Sequence, residues 1–200
     1  MSHRGRNDQR TRVAQVAAGL IADGLTDYHA AKHKAAQQLG LDDRVALPDN
    51  QEVEQALREH LALFQRYSQP QALQVLRETA LRAMRRLQVF SPWLTGAVLN
   101  GTANQFSEIE LELIGVEAKE FELFLLNNGV EFHLQEERAP AVERRGLRYH
   151  CEFEELPLTI TLYDSHTQRQ ALHPRGSVRH ERVQLEEAEK AFQADSARNA

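Results

Sequence analysis

In the stretch Glu108-Ile109-Glu110-Leu111-Glu112-Leu113, acidic and apolar side chains alternate strictly. A period of two belongs to an extended strand, so Glu108, Glu110 and Glu112 share one face while Ile109, Leu111 and Leu113 turn to the core. Two carboxylates two residues apart on a strand stand close enough to share a divalent cation. A hard ion such as Mg²⁺ takes oxygen ligands of this kind, with phosphates completing its shell. Just upstream, Gly101 permits a backbone turn that a side chain would block, and the amides and hydroxyl at Thr102 can approach a phosphate. The plain alternative is an amphipathic strand whose glutamates face water, as antiparallel sheets often have.

The order of these features is an apolar strand from Leu94, Gly101-Thr102, the short polar loop Ala103–Ser107, and acid-apolar-acid on the next strand. It resembles the signature of the nucleotidyltransferase superfamily, over Ser91 to Asp164. The resemblance implies an α+β fold and Mg²⁺-dependent transfer of a nucleoside monophosphate from a nucleoside triphosphate to an acceptor. Gly101 and Thr102 would hold the triphosphate and Glu108 and Glu110 the metal. Arg144 and Arg145, in the loop up to Arg148, or arginines of the tail would neutralise the departing pyrophosphate. This chain departs from the pattern in having Thr where Ser is usual, Glu in place of both Asp residues, and a short loop. The family draws a third carboxylate from a later strand. The polar face of Leu158–Tyr163 offers Thr159, Thr161 and Tyr163, which leaves Glu155 and Asp164 as flanking candidates. These departures keep a second reading open, a catalytically inactive module that binds nucleic acid or protein or regulates a partner. A third is an interaction domain with no nucleotide involved.

The elements that must position these residues follow from periodicity. Residues 1–9 are polar and expected to be disordered. Apolar spacing predicts helices over Arg10–Ala22, Tyr28–Leu39, Gln51–Arg66 and from Gln69 to about Phe90, with Thr26 or Asp27 capping the second. Met84 falls on the apolar stripe of the fourth helix and reads as core. Arg77, Arg82, Arg85 and Arg86 give that helix a basic side and end, read as a solvated face or as cations toward triphosphate or RNA backbone. The first two helices invite a helix-turn-helix reading, but Lys32, His33 and Lys34 do not make a base-reading face. His29 and His33 are four apart, the spacing at which two imidazoles share a metal, with no third ligand evident. From Ser91 the pattern changes: a helix over Glu117–Asn127, and strands over Val130–Leu134, Leu147–Phe153 and Leu158–Tyr163. The expected architecture is therefore α+β, a helical segment over 10–90 followed by a mixed sheet with helices packed on it over 91–194, and a frayed end over 195–200. A last short helix is expected over Val183–Phe192.

Composition bounds the rest. Two hundred residues with a formal net charge of −5 and few aromatics suit a globular chain and argue against one that coats nucleic acid generally. Arginines are nevertheless clustered in the loop around Arg144 and in the tail at Arg169, Arg175, Arg179 and Arg182, where a solvated linker is the default reading. The single cysteine, Cys151, excludes an internal disulfide, fits a reducing cytoplasm, and reads as a buried thiol. No apolar run reaches membrane-spanning length, and the Arg-rich start lacks the apolar segment of a signal peptide. A soluble cytoplasmic protein is expected, its oligomeric state unspecified.

Overall fold

A computed structural model of the chain describes residues 3–25, 27–41, 47–136, 146–163 and 181–199. Two compact units divide it, the first comprising residues 1–72 with 104–107 and the second residues 73–103 with 108–200.

The first unit is helical. Helix α1 (His3–Ala22) starts seven residues before its expected beginning, so the segment expected to be disordered is helical from His3. Helix α2 (Tyr28–Gln38) is capped by Asp27, whose carboxylate accepts from the Ala30 N–H at 2.9 Å. Thr26 lies outside the described residues. Helix α3 (Asn50–Phe64) opens on a reciprocal box, in which Asp49 accepts from the Glu52 N–H and Glu52 accepts from the Asp49 N–H. Small residues build the contact: Val13, Ala14, Ala17, Ala31, Ala35 and Val53 are buried together. Arg10 holds both carboxylate oxygens of Glu52, at 2.7 and 2.8 Å, and this pairing keeps the Glu52 carboxyl below its usual range. The segment 104–107 belongs to this unit through Asn104, which donates to the Ala22 carbonyl at 2.9 Å and accepts from the Phe106 N–H.

Helix α4 (Ser68–Arg86) crosses the boundary, its residues from Leu73 onward counting with the second unit. A 3-10 turn (Gln88–Phe90) leads into β1 (Trp93–Thr95), α5 (Gly96–Asn100), β2 (Ile109–Ile114), α6 (Ala118–Asn127), β3 (Phe132–Glu136), β4 (Gly146–Phe153), β5 (Leu156–Tyr163) and α7 (Leu185–Asn199). The sheet runs β1-β2-β5-β4-β3, with β2 parallel to β5 and every other pair antiparallel. The chain is thus an α+β protein with a mixed five-stranded sheet. Its core takes Ile109, Leu111, Leu113, Tyr149, Leu158, Ile160 and Leu162 from the strands. Leu76, Ala80, Ala83 and Met84 of α4, Phe121 and Leu125 of α6, and Phe192 of α7 cover them. Phe90, Phe121 and Tyr149 meet edge-on, at 5.6 and 5.2 Å between ring centres.

Other boundaries also differ from the expected ones. The strand expected from Leu94 is the three-residue β1, Trp93–Thr95, because Gly96, at φ 73°, starts a short helix. The strand expected over Val130–Leu134 is displaced to Phe132–Glu136. Helix α7 continues to Asn199, through the segment expected to fray. No helix among the described residues is long and apolar enough to cross a membrane.

Candidate functional site

Strand β2 carries the acids, and its register with its neighbours decides what surrounds them. Glu110 pairs with Thr95 on one side and Thr159 on the other, and Glu112 with Trp93 and Thr161. Across β5, Thr159 pairs with His150 and Thr161 with Arg148. Side chains in these rows point to the face away from the core, so acids, threonines, Arg148 and His150 share one polar surface.

The three glutamates on that surface have different environments. Glu108 accepts a 2.7 Å hydrogen bond from the Thr159 hydroxyl. Thr159 Oγ1 also lies 2.9 Å from Nδ1 of His150, whose Nε2 lies 2.9 Å from Gln135 Oε1, so a hydrogen-bonded line crosses from β2 to β3. Glu112, which only the plain alternative set facing water, is buried, and it pairs with Arg182 at 3.2 Å. The Arg182 guanidinium lies over the Trp93 ring, 5.1 Å from its centre. The segment carrying it is bound to β1, with Leu94 and Val183 exchanging backbone hydrogen bonds and the Thr95 hydroxyl donating to the Glu181 carbonyl.

Glu110 sits between these two. Burial pushes its carboxyl up to about 7, with repulsion from Glu108 and Glu112 in the same direction. Arg148 and a hydrogen bond from the Ala97 N–H pull against the rise. The carboxylate rests on the backbone of Gly96, where any side chain would run into it. Gly96 and Ala97 are therefore the glycine and amide that touch the acids. The sequence held a signal for them, a glycine directly after a strand and directly before a helical turn.

The Gly101-Thr102 turn does something else. Gly101 ends α5 in the left-handed region at φ 83°. The N–H groups of Gly101, Thr102 and Ala103 all converge on the Ala97 carbonyl. Thr102 is buried, and its hydroxyl donates to Asn100 at 2.6 Å. These amides and this hydroxyl were read as open to a phosphate, but the structure turns them inward to close α5.

The remaining expected residues are placed unevenly. Arg144, Arg145, Asp164, Arg169, Arg175 and Arg179 lie outside the described residues. Glu155 sits in the turn between β4 and β5 at φ 65°. Four residues separate it from Thr159, about 13 Å along a strand, so it lies well away from Glu110. Thr159 occupies the β5 position beside Glu110. Among the described residues there is no cluster of three or more His, Cys, Asp or Glu side chains able to hold a metal. Each arginine of α4 has an internal partner: Arg77 meets Asp195, Arg82 meets Glu154, Arg85 meets Glu189, and Arg86 donates to Asn128. Arg82, Arg85 and Arg86 make these pairs on an exposed face, and together with Arg77 they tie α4 to α7, the end of α6 and the β4–β5 turn. Cys151 is half-buried, its thiol pushed up to about 11 by burial, and it donates weakly to the Leu158 carbonyl.

No protein-family model and no curated protein matches the sequence. Among solved structures the chain is similar to the Cid1 poly(U) polymerase, at 17% identity and a TM-score of 0.29. The match covers 48% of this chain and 29% of that one, so the chain spans less than a third of the length of the polymerase it matches.

Proposed function

We propose that this chain is a nucleotidyltransferase-like protein that binds a nucleoside triphosphate together with Mg²⁺ at Glu108 and Glu110. The observation that carries the reading is the crowding of carboxylates on β2, with Glu110 lodged against Gly96 and Ala97 and pushed up to about 7. An all-oxygen donor set with mutual repulsion suits a hard divalent cation, which relieves that repulsion and accepts phosphate oxygens in its remaining positions. When bound, the ion supplies charge neutralisation at the phosphates. Glu108 and Glu110 hold it. Arg148, close enough to pull the Glu110 carboxyl downward, offers a guanidinium to phosphate oxygens from β4. Gly101 and Thr102 act behind the site by closing α5. In full, the activity of this reading is transfer of a nucleoside monophosphate to an acceptor, with pyrophosphate leaving.

One observation favours a second reading, a binding module that keeps the fold without the transfer. Thr159 stands beside Glu110 on β5, where an ionised third ligand would serve a second metal, and a neutral hydroxyl does not replace it. Titration with ATP, GTP, CTP and UTP, with and without Mg²⁺, followed by assay of pyrophosphate release, separates the readings. Metal-dependent binding with release supports the transferase, and metal-dependent binding without release the module. Absence of binding in all eight conditions contradicts the transferase and turns the search for the module's ligand to nucleic acid or protein.

A further inference from the structure

On α2, in the helical unit, the rings of His29 and His33 lie 4.3 Å apart and inclined at 49°, with their Nε2 atoms 3.2 Å apart. That separation is the edge of a coordination shell. Two imidazole nitrogens at about 2.0–2.1 Å from one zinc ion, held at the tetrahedral angle, stand about 3.3 Å from each other. In the metal-free chain the same spacing accommodates an N–H···N hydrogen bond between neutral rings, and a metal ion takes the place of that one proton.

The helix presents the pair as a fixed fork. Ala31 and Ala35 are each two residues beyond a histidine, roughly 200° around the helix, and both are fully buried. The packed face therefore anchors the backbone under both rings while the rings themselves are exposed. Lys32, which lies between them in sequence, is engaged with Asn50 Oδ1 at 2.8 Å. The positive end of the helix dipole, which disfavours a cation in the first turn, is offset by the Asp27 carboxylate that caps it.

We propose that His29 and His33 form a bidentate site for a borderline divalent transition metal such as Zn²⁺, Ni²⁺ or Co²⁺. Imidazole suits these ions and not Mg²⁺, so the site is distinct in chemistry from the glutamates of β2. Two protein ligands leave the other coordination positions to water, so the bound ion stays exchangeable and open to an outside ligand.

The test is a titration of metal-stripped full-length protein with ZnCl₂ and NiCl₂, alongside His33→Ala, His29→Ala and the double variant, with circular dichroism to verify that α2 persists. The wild type should take one equivalent that the double variant lacks, and each single variant should bind at least about tenfold more weakly, because the second imidazole no longer acts intramolecularly. Co²⁺ should give a visible absorption band in the wild type alone. Glu110→Gln should bind Zn²⁺ as the wild type does, which keeps this test independent of the nucleotide reading. Equal binding by wild type and double variant, with the remaining histidines holding the metal, would overturn the proposal, as would no saturable binding by the wild type.

Discussion

The carboxylate of Glu110 rests on the backbone of Gly96 and accepts from the Ala97 N–H. One residue without a side chain thus decides where the central acid of β2 can lie. Gly96 is at φ 73°, a conformation that L residues adopt at a cost, so Gly96→Ala combines backbone strain with a collision. Urea unfolding should show a loss of about 2–4 kcal/mol. Gly129 has a similar φ of 67° but open space around it, so Gly129→Ala should cost only about 1–2 kcal/mol. The difference between the two measures the collision with Glu110.

Glu110 also sets a pH dependence. In the folded chain it keeps its proton to about pH 7, whereas an ordinary glutamate releases it near 4.5. Between these values the folded state binds a proton that the unfolded state has lost. Stability should therefore fall as pH rises from 4.5 to 7 and level off above. The span is of order 3 kcal/mol at this site. Glu110→Gln should lose this slope and unfold at higher urea than the wild type at pH 8. An unchanged slope in the variant would place the effect elsewhere.

Arg182 holds Glu112 by a pair in which both side chains are largely buried, 19% and 9% exposed. Removing the cation leaves a carboxylate out of water with nothing to balance it. Arg182→Ala should cost about 2–4 kcal/mol, and adding Glu112→Gln should recover part of that loss. The same substitution uncovers the only tryptophan, Trp93, so its emission should shift as well. Denaturation curves of the two variants followed by fluorescence give both results.

Much of this arrangement was legible in the residues, and the exceptions share a cause. The alternation on β2 placed Ile109, Leu111 and Leu113 in the core correctly, because burial on one face imposes a period of two. The helical stripe of α4 and most of that of α3 were legible for the same reason, at a period of 3.6: Val53, Leu57 and Leu61 are buried, but Phe64 on the same spacing is exposed. Gly101-Thr102 matches a Gly-Ser pattern in the sequence, while the contact with Glu110 belongs to Gly96, brought across by the antiparallel pairing of β1 with β2. The parallel neighbour β5 supplies Thr159 from about fifty residues downstream, and no local pattern announces that pairing. The arginines of α4 looked free because Glu154, Glu189 and Asp195 lie 72 to 118 residues away in sequence. Periodicity reports which face is buried. It does not report which distant element covers it.

The central claim is that the acids of β2 hold a nucleotide through a divalent cation. Isothermal titration of ATP, GTP, CTP and UTP into wild type and Glu110→Gln, each with and without Mg²⁺, tests it most directly. Saturable binding of at least one nucleotide that requires Mg²⁺ and disappears in Glu110→Gln, with the fold intact by circular dichroism, is the expected result. Binding that is indifferent to Mg²⁺, or retained in Glu110→Gln, would contradict it.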